Sequence, residues 1–373
     1  MALLELRTIT VSGSRTAMGQ AYGQACAGAV QAFVAQRARA ANIYLRERGL
    51  RNPQLISELA RQCLEALHLW DQPSWAEHQA TAQGAGVDAV ALYAAANYTD
   101  IRDILAYPAQ PSAAAAGGAA PAGANTPDAE GCTAMLFPGQ GAQPLIAAQT
   151  WDLNPSDLEY VVALHRIPDQ GPSTWSITCA GCPSLIGMNE RGLSIGTTNI
   201  KIRPSRVGIP YLSLIHAALG CEHRAQASER ITSAPRAAAH TYWLADAQGA
   251  EDLECSATTV TRRSAVQGLA RTNHCLDGAH AQSEGEVPSS SSRTRLARAV
   301  AAVAGPQPSI PALKALLADR SDGIDSINRY AEDGQGTSTN ACVISVPARR
   351  ELQVCRGSSD RGRWLTLDFT GAT

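Results

Sequence analysis

The sequence predicts an α+β protein in which helices are layered over largely antiparallel sheets. Residues 14 to 107 show the three-to-four-residue apolar spacing that is typical of helices. From Cys132 onward the apolar period changes to two, which is typical of strands. Strands come in groups between helical blocks, so the pattern does not fit a parallel sheet of alternating strands and helices.

The N-terminal part is predicted to form three helices. The first covers the Ala-rich residues 15–48, and the third covers residues 88–104. Between them, NPQLISELARQCLEAL has Pro53 near its start. Its apolar side chains then recur at four-residue spacing: Leu55, Leu59, Cys63 and Leu67.

Two low-complexity segments interrupt these patterns. PAQPSAAAAGGAAPAGANTPDAEG, at residues 108–131, has no periodicity and many helix breakers, which predicts a solvated linker. AQSEGEVPSSSS, at residues 281–292, is expected to be a loop.

The C-terminal part reads as strands with a few helices. Strand-like segments are CTAMLF, PLIAAQTW, EYVVALHRI, TWSIT and GLSIGTTNI, with more around residues 240–273 and at the end of the chain in NACVISV, RELQVCRG and RWLTLDF. Helices are expected at residues 210–220 and in RTRLARAVAAVAG and PALKALLAD.

The first of these strands begins at a cysteine that directly follows the linker. A turn centred near Gly141 or Ala142 would place Cys132 opposite residues 150–152, with neighbouring strands about 4.8 Å apart. Asp152 is therefore expected near Cys132. A cysteine within a sheet usually packs as a small hydrophobe, but one behind a flexible leader could become a new N-terminus if the chain is cut.

Composition excludes several classes of function. The 373 residues carry a net charge of −2, so no basic field attracts nucleic acid or an anionic membrane. No apolar run is long enough to span a membrane, and no signal peptide is recognised at the start. The ten cysteines are therefore expected to be reduced thiols in a cytoplasmic protein.

Two familiar motifs are rejected on context. GLSIG fits the nucleophile elbow of hydrolases, but Ser194 follows a turn and lies in an alternating strand, whereas the elbow joins a strand to a helix. CAGC, at residues 179–182, has no second pair of cysteines or histidines that would complete a zinc site. No cofactor or metal is predicted.

Five segments, taken in order, resemble the acyl-coenzyme A:6-aminopenicillanate (isopenicillin N) acyltransferase family. EGCTAML followed by QTWDLNP is similar to the family's Gly-Cys-Thr cleavage junction and its Asn-Trp-Asp motif, with Thr150 in place of the Asn. SGSRTAMGQAYGQAC and GAGVDAVALYAAANYTDI resemble its N-terminal segments. RTNHCL and DSINRYAEDG resemble the segments that carry an oxyanion-hole Asn and an active-site Arg.

The resemblance implies an N-terminal-nucleophile (Ntn) hydrolase with an αββα four-layer sandwich. In such a protein the Gly131–Cys132 bond is cut by the chain itself. Residues 1–131 would be the helical propeptide or α-chain, ending in the linker, and residues 132–373 the catalytic β-chain. The two chains would stay together as a heterodimer within one domain.

The resemblance also implies the roles of four side chains. Cys132 would be the nucleophile, with its own α-amine as the base. Asp152 would orient the amine or thiol, although a solvated turn acid is the alternative. Asn273 would donate to the oxyanion, unless it only satisfies a turn. Arg329 would pair with Asp152 or bind a substrate carboxylate, with a surface salt bridge as the competing interpretation.

The expected function is therefore that of a self-processing cysteine amidohydrolase or acyltransferase. Its substrate would be a small N-acyl amine or acyl thioester of natural-product metabolism, and no nucleic acid or membrane partner is expected. His274 is interpreted as structural, because the α-amine already supplies a base. The alternative is a binding protein without catalytic activity that keeps the fold.

Overall fold

The computed structural model describes residues 3–108 and 131–369. The predicted linker lies outside the described residues, except for Pro108 and Gly131 at its ends. The N-terminal described part runs through β1 (Arg7–Gly13), α1 (Arg15–Ala25), α2 (Ala27–Glu47), α3 (Leu55–Trp70), α4 (Gln72–Ala85), α5 (Ala89–Ala96) and α6 (Tyr98–Ala106).

The part after the linker alternates groups of strands with pairs of helices. Its strands are β2 (Thr133–Phe137), β3 (Ile146–Leu153), β4 (Val161–Pro168), β5 (Thr174–Cys179), β6 (Ile186–Asn189), β7 (Ser194–Asn199), β8 (His240–Asp246), β9 (Gly249–Cys255), β10 (Val260–Ser264), β11 (Leu269–Arg271), β12 (Ser338–Val346), β13 (Glu351–Arg356) and β14 (Leu365–Leu367). Its helices are α7 (Tyr211–Leu219), α8 (Arg224–Thr232), α9 (Gly278–Ala281), α10 (Ser290–Ala304) and α11 (Ile310–Leu317).

The helical prediction for the N-terminal part is confirmed, but its division into three helices is wrong. The helix expected at 15–48 is divided at Cys26 into α1 and α2, and the one expected at 88–104 is divided at Asn97 into α5 and α6. Helix α4 was not predicted because its buried residues include Glu77, His78 and Thr81, so the buried face lacks the apolar pattern of an amphipathic helix.

Helices α1 and α4 approach so closely that only glycine fits between them. A Cβ atom on Gly19 would lie 2.3 Å from the carbonyl oxygen of Glu77, and one on Gly84 would lie 2.3 Å from that of Gln20. The small residues of these helices therefore serve backbone-to-backbone packing.

The loop expected at residues 281–292 is also partly wrong. Its last serines already belong to α10, since Ser289 caps the helix by accepting a hydrogen bond of 3.1 Å from the Ser292 N–H. The composition of a run of serines predicts a loop, but serine is also a preferred residue at the start of a helix.

Two sheets contain all the named strands of the described residues. The strand order is β1-β4-β5-β6-β7-β8-β9-β10 in the first and β11-β2-β3-β12-β13-β14 in the second. Among the strand pairs described, β1 with β4 is parallel and the others are antiparallel. The prediction of largely antiparallel sheets is confirmed.

The two sheets lie face to face between layers of helices. Polar contacts cross between their inner faces, including a hydrogen bond of 2.6 Å from Gln149 Nε2 to the carbonyl oxygen of Thr197. Helices α10 and α11 cover the outer face of the second sheet, around Met135 and Ile344. Helices α1 and α4 pack on β1 and β4 of the first sheet. The result is the predicted αββα sandwich.

No helix within residues 3–108 and 131–369 is long and apolar enough to cross a lipid bilayer.

Candidate active site

Cys132 lies immediately before β2, at the open end of the β2–β3 hairpin. Thr133 pairs with Thr150, which places Cys132 opposite Trp151 and within the predicted register. The turn is closed by hydrogen bonds of 3.0 Å in both directions between the backbones of Gln140 and Gln143. Because the hairpin register is confirmed, Cys132 and the end of β3 lie together at one end of the second sheet.

Asp152 is fully buried beside this cysteine. Its carbonyl oxygen accepts the Gly131 N–H at 3.2 Å, and its Oδ2 accepts a hydrogen bond of 3.3 Å from the Thr150 hydroxyl. Its Oδ1 has no hydrogen-bond partner among residues 3–108 and 131–369. The solvated turn acid is therefore excluded, and one carboxylate oxygen remains available to a ligand or to an amine.

Burial also changes the acidity of this carboxyl group. Removal from water raises the pKa of Asp152 to about 6, although the positive charges of Arg295 and Arg329 oppose the rise. The group can therefore gain or lose a proton close to neutral pH.

Asn273 connects the cysteine to two other elements. Its Oδ1 accepts the backbone N–H of Cys132 at 2.7 Å, and its Nδ2 donates to the carbonyl oxygen of Asn199 at 3.0 Å. Its own N–H donates to the Ser292 hydroxyl at 2.9 Å. The structure thus brings Asn273 to Cys132, so its side chain does more than satisfy a local turn.

Arg329 also reaches the junction, but not by the predicted pairing. No ion pair joins it to Asp152 in the described part of the chain; its Nη2 donates to Ser291 instead. It is buried, so a surface salt bridge is excluded as well. Its guanidinium group faces Gly131, where an added Cβ would lie 3.2 Å from three guanidinium atoms.

Arg295 is a site residue that the sequence did not reveal. From α10 its Nη1 donates to the carbonyl oxygen of Cys132 and, at 3.0 Å, to the hydroxyl of Thr133, while Nη2 donates to Asn273 Oδ1 at 3.0 Å. Burial, and then the neighbouring Arg329, lower the pKa of Arg295 to about 10. The only available signal was an Arg in an Ala-rich helix, and α10 also carries other arginines.

Asn199 is the second residue that was missed. It ends strand β7, and neither its Nδ2 nor its Oδ1 finds a hydrogen-bond partner within the described residues. A buried amide without partners is uncommon, because it loses its hydrogen bonds to water. An Asn that ends the strand-like run GTTNI was the available signal, but its burial could not be read from the sequence.

These side chains meet at two cavities. The smaller is lined by Cys132, Asp152 and Asn199, together with apolar residues such as Trp151 and Leu185. The larger is lined by Asn273 and Arg329 and many charged residues, and Asn199 lines it too. The cysteine therefore faces a small cavity of mixed polarity next to a broad polar cleft.

The rejected motifs lie away from this chemistry. Ser194 is in strand β7 and bonds to the Ser345 hydroxyl at 2.6 Å, as expected for a residue between the two sheets. His274 bonds to the Ser292 hydroxyl at 2.8 Å. Burial lowers the pKa of His274, which fits its structural interpretation.

Three solved structures resemble the fold at low identity. Penicillin V acylase from Agrobacterium tumefaciens is 14% identical, and the alignment covers 64% of this chain and 87% of that one with a TM-score of 0.43. A Caenorhabditis elegans N-acylethanolamine-hydrolyzing acid amidase ortholog is 12% identical, and the alignment covers 64% of this chain and 100% of that one with a TM-score of 0.42. The third is a mutant conjugated bile acid hydrolase from Clostridium perfringens. It is 11% identical, and the alignment covers 64% of this chain and 92% of that one with a TM-score of 0.38. At this level of similarity nothing about their substrates is transferred to this chain.

A search of curated protein sequences gives no significant match. The family model for acyl-coenzyme A:6-aminopenicillanic acid acyl-transferase, by contrast, matches residues 139–361, more than half of the chain. The matched part includes Asp152, Asn273 and Arg329 and begins just after Cys132. The chain therefore belongs to the acyl-coenzyme A:6-aminopenicillanic acid acyl-transferase family.

Proposed function

We propose that the protein is a zymogen that cuts its own Gly131–Cys132 bond and then uses Cys132 to cleave or transfer the acyl group of a small N-acyl amine or acyl thioester. The observation that carries this proposal is the position of Cys132. Its backbone nitrogen is held by Asn273 at 2.7 Å, and it lines a cavity together with the buried Asp152. A cysteine needed only for packing would not require this polar environment.

Self-cleavage would begin at the peptide bond between Gly131 and Cys132. The thiol attacks the Gly131 carbonyl carbon, the C–N bond breaks, and a thioester forms while the nitrogen takes up the thiol proton. Water then hydrolyses the thioester, which leaves a carboxylate on Gly131 and a free α-amine on Cys132. Arg329, whose guanidinium group faces Gly131, would stabilise the negative charge that develops on the carbonyl oxygen.

The same cysteine would then act on the substrate. Its α-amine has an ordinary pKa of ~7.7–8.0, against ~8.5 for the thiol, so a proton passes between them at little cost. The unpartnered Oδ1 of Asp152 would hold the ammonium that results. Asn273 uses one amide hydrogen on Asn199, so its second hydrogen and the amide of Asn199 are available to the oxyanion.

The substrate acyl group would remain on the sulfur as a thioester while the amine departs. Water in the broad cleft makes hydrolysis the default outcome, and transfer would require a second amine in that cleft. We place the enzyme in natural-product metabolism as a proposal, since small acylated amines are common there.

We also propose that residues 1–131 and 132–373 persist as the α- and β-chains of one domain, in the cytoplasm. All ten cysteines lie in the described residues and none forms a disulfide, including Cys342 and Cys355, which are paired across adjacent strands. Paired thiols that stay reduced are typical of a reducing compartment.

The experiment compares wild type with Cys132→Ala and Cys132→Ser. On a denaturing gel wild type should give two chains, and their intact masses should correspond to a cut between Gly131 and Cys132. Cys132→Ala should remain one chain. Cys132→Ser, which keeps a weaker nucleophile, should be cut slowly. Cys221→Ala, at a cysteine outside both cavities, is the matched control and should behave as wild type.

The outcome would also separate the enzyme from a binding protein with the same fold. Cleavage of Cys132→Ala at the same bond would contradict self-processing. A wild-type protein that stays intact and releases no acyl group from any amide or thioester would support the binding protein.

A further inference from the structure

A histidine that the reaction does not use lies in the wall of the small cavity. His240 begins strand β8, opposite Asn199 on β7, and lines the same cavity as Cys132. Its ring is 1% exposed and stacks on Tyr211, with ring centres 4.2 Å apart and planes 18° from parallel. The ring therefore has one fixed orientation.

Asp100 determines which ring nitrogen of His240 carries the proton. Its Oδ1 lies 2.6 Å from Nε2, and its Oδ2 accepts the backbone N–H of Tyr211 at 3.0 Å. A carboxylate only accepts hydrogen bonds, so Nε2 must donate to it. A neutral imidazole has a single N–H, so Nδ1 is left with a lone pair and acts as an acceptor.

This acceptor is unsatisfied in the described residues. Nδ1 of His240 is buried and has no hydrogen-bond partner between residues 3 and 108 or 131 and 369. Leaving a buried polar atom unpaired costs free energy, which is recovered if a ligand supplies the partner. Asp152 and Asn199 line the same cavity, and Asp152 Oδ1 and the Asn199 amide are also without hydrogen-bond partners in the described residues; the proposed mechanism assigns both to the reacting end of the substrate.

The small cavity fits the acyl group better than the amine. It contains Cys132 itself and has apolar walls from Trp151, Leu153 and Leu185, and the acyl group stays bound to the sulfur after the amine has left. The polar cleft is the larger of the two and gives the amine and water a route.

We infer that the acyl group of the substrate carries a hydrogen-bond donor, a hydroxyl or an amine, which binds Nδ1 of His240. This inference rests on the proposed function, because it takes Cys132 as the acylated residue. A purely hydrocarbon acyl group would leave Nδ1 unpaired in the complex, and an ether or carboxylate would place one acceptor against another.

The test uses N-acetylcysteamine thioesters, which acylate the cysteine without needing the amine site. The panel contains butanoyl, 2-, 3- and 4-hydroxybutanoyl, the matching aminobutanoyl and the matching methoxybutanoyl esters. For processed wild type, at least one hydroxy or amino ester should show a kcat/KM about tenfold above butanoyl, with its methoxy analogue no better than butanoyl. The hydroxy and amino series decide which donor is preferred.

Two variants show whether His240 is the cause. In His240→Gln the side-chain amide can still donate to Asp100 but has no acceptor at the Nδ1 position, so the ratio of donor-bearing ester to butanoyl should fall to about one. In Asp100→Asn the new amide can donate to Nε2 and move the ring proton to Nδ1. The preference should then shift towards the methoxy ester, an effect that loss of structure would not produce.

The outcomes separate the two proposals. Equal kcat/KM for butanoyl and every donor-bearing ester would overturn this inference and leave the proposed function intact, as would an unchanged preference in processed His240→Gln. Release of no thiol from any ester by self-cleaved wild type would contradict the proposed function and the inference together. A variant is taken as folded if it still cleaves itself and if its melting temperature is close to that of wild type.

Discussion

Asp152 is held where its charge is poorly solvated, and its position suits a group that must bind an ammonium ion. The carboxyl group is fully buried, and burial raises its pKa to about 6. Below that pH it is neutral, and the ammonium that forms on Cys132 would lose its counter-charge. The reactivity of the site should therefore depend on pH in a range where most carboxylates are already ionised.

The first prediction concerns this pH dependence. In processed enzyme kcat/KM should rise with pH through an apparent pKa at or below the value of about 6 that Asp152 has in the uncut chain, because the ionised form of Asp152 is the active one and the new α-ammonium of Cys132 favours that form. The measurement is a pH–rate profile of thioester hydrolysis between pH 4.5 and about 8. Asp152→Asn should lose most of the activity, and its remaining activity should no longer rise with pH on the acid side of the profile. If Asp152→Asn keeps that rise, the rise belongs to another group.

The second prediction concerns Asn273. Asn273→Ala removes a donor to the oxyanion and should lower turnover by about 10²–10³, with the fold retained. The effect is measured directly by a single-turnover reaction with a thioester, in which mass spectrometry of the β-chain follows the acylation of Cys132. Asn328→Ala provides a control for loss of a buried amide elsewhere, since that side chain bonds to Asp360. Near-normal acylation in Asn273→Ala would remove this residue from the mechanism.

At the scale of elements, α4 is attached to the first sheet by a buried ionic cluster. Glu77 bonds to Arg166 Nε at 2.7 Å, to Arg15 Nη1 at 2.8 Å and to His216 Nε2 at 3.2 Å. Burial alone would raise the pKa of Glu77, but its basic neighbours more than offset this and hold it well below its usual range. The carboxylate of α4 is thus bound to Arg15 on α1 and also to Arg166 and His216, which follow Cys132 in the chain.

The third prediction tests this cluster. Glu77→Gln should lower the free energy of unfolding at pH 7 by roughly 3–5 kcal/mol, because it leaves the buried guanidinium group of Arg166 without its counter-charge. Since the folded-state pKa is depressed, the stabilisation by Glu77 is complete above the ordinary Glu value of ~4.3 and is lost as pH falls through the folded-state value. The difference from wild type should therefore shrink in acid.

Denaturant unfolding at pH 7 and in acid provides the measurement for Glu77→Gln. Glu5→Gln is the matched control, because Glu5 pairs with Arg363 on the surface, where both side chains are more than half exposed. An exposed ion pair contributes only about 0–1 kcal/mol, so this control should change little. Equal effects of the two substitutions would contradict the role assigned to the cluster.

At the scale of the whole molecule, the parts before and after Cys132 are interleaved. Strand β1 is the edge strand of the first sheet and pairs with β4 over seven residues, from Arg7 with Val162 to Gly13 with Pro168. Further buried contacts cross the same boundary, including Arg37 with Asp157 and Asp100 with His240.

The fourth prediction is that the two chains remain associated after cleavage. Wild-type protein that shows two bands on a denaturing gel should elute as a single species in native size-exclusion chromatography, at the volume of uncut Cys132→Ala. The chains should separate only in denaturant. Elution of a free α-chain under native conditions would contradict this prediction.

Much of this architecture could be predicted from local patterns. The hairpin register followed from the two-residue period and a short turn at Gly141, and together these fix which residues face each other. The four candidate site residues were identified by resemblance, and the structure brings all of them to the junction at Gly131 and Cys132.

The remaining parts depend on contacts between distant segments. Arg295 lies 163 residues from Cys132 in sequence, and nothing local shows that it is buried while Arg293 on the same helix is exposed. Arg329 is expected either to pair with Asp152 or to bind a substrate carboxylate; its Nη2 donates to Ser291 on α10, and the second role stays a prediction. Such choices are decided by how helices dock on the sheet, which one sequence does not display.

The edge position of β1 has a practical consequence for making the enzyme. A gene that encodes only residues 132–373, written to start directly at the cysteine, would produce a first sheet whose β4 has no neighbour on one side. An uncovered edge of that kind invites pairing with other chains and precipitation. Co-expression of residues 1–131 with residues 132–373 should therefore keep this edge covered, because β1 belongs to the first segment.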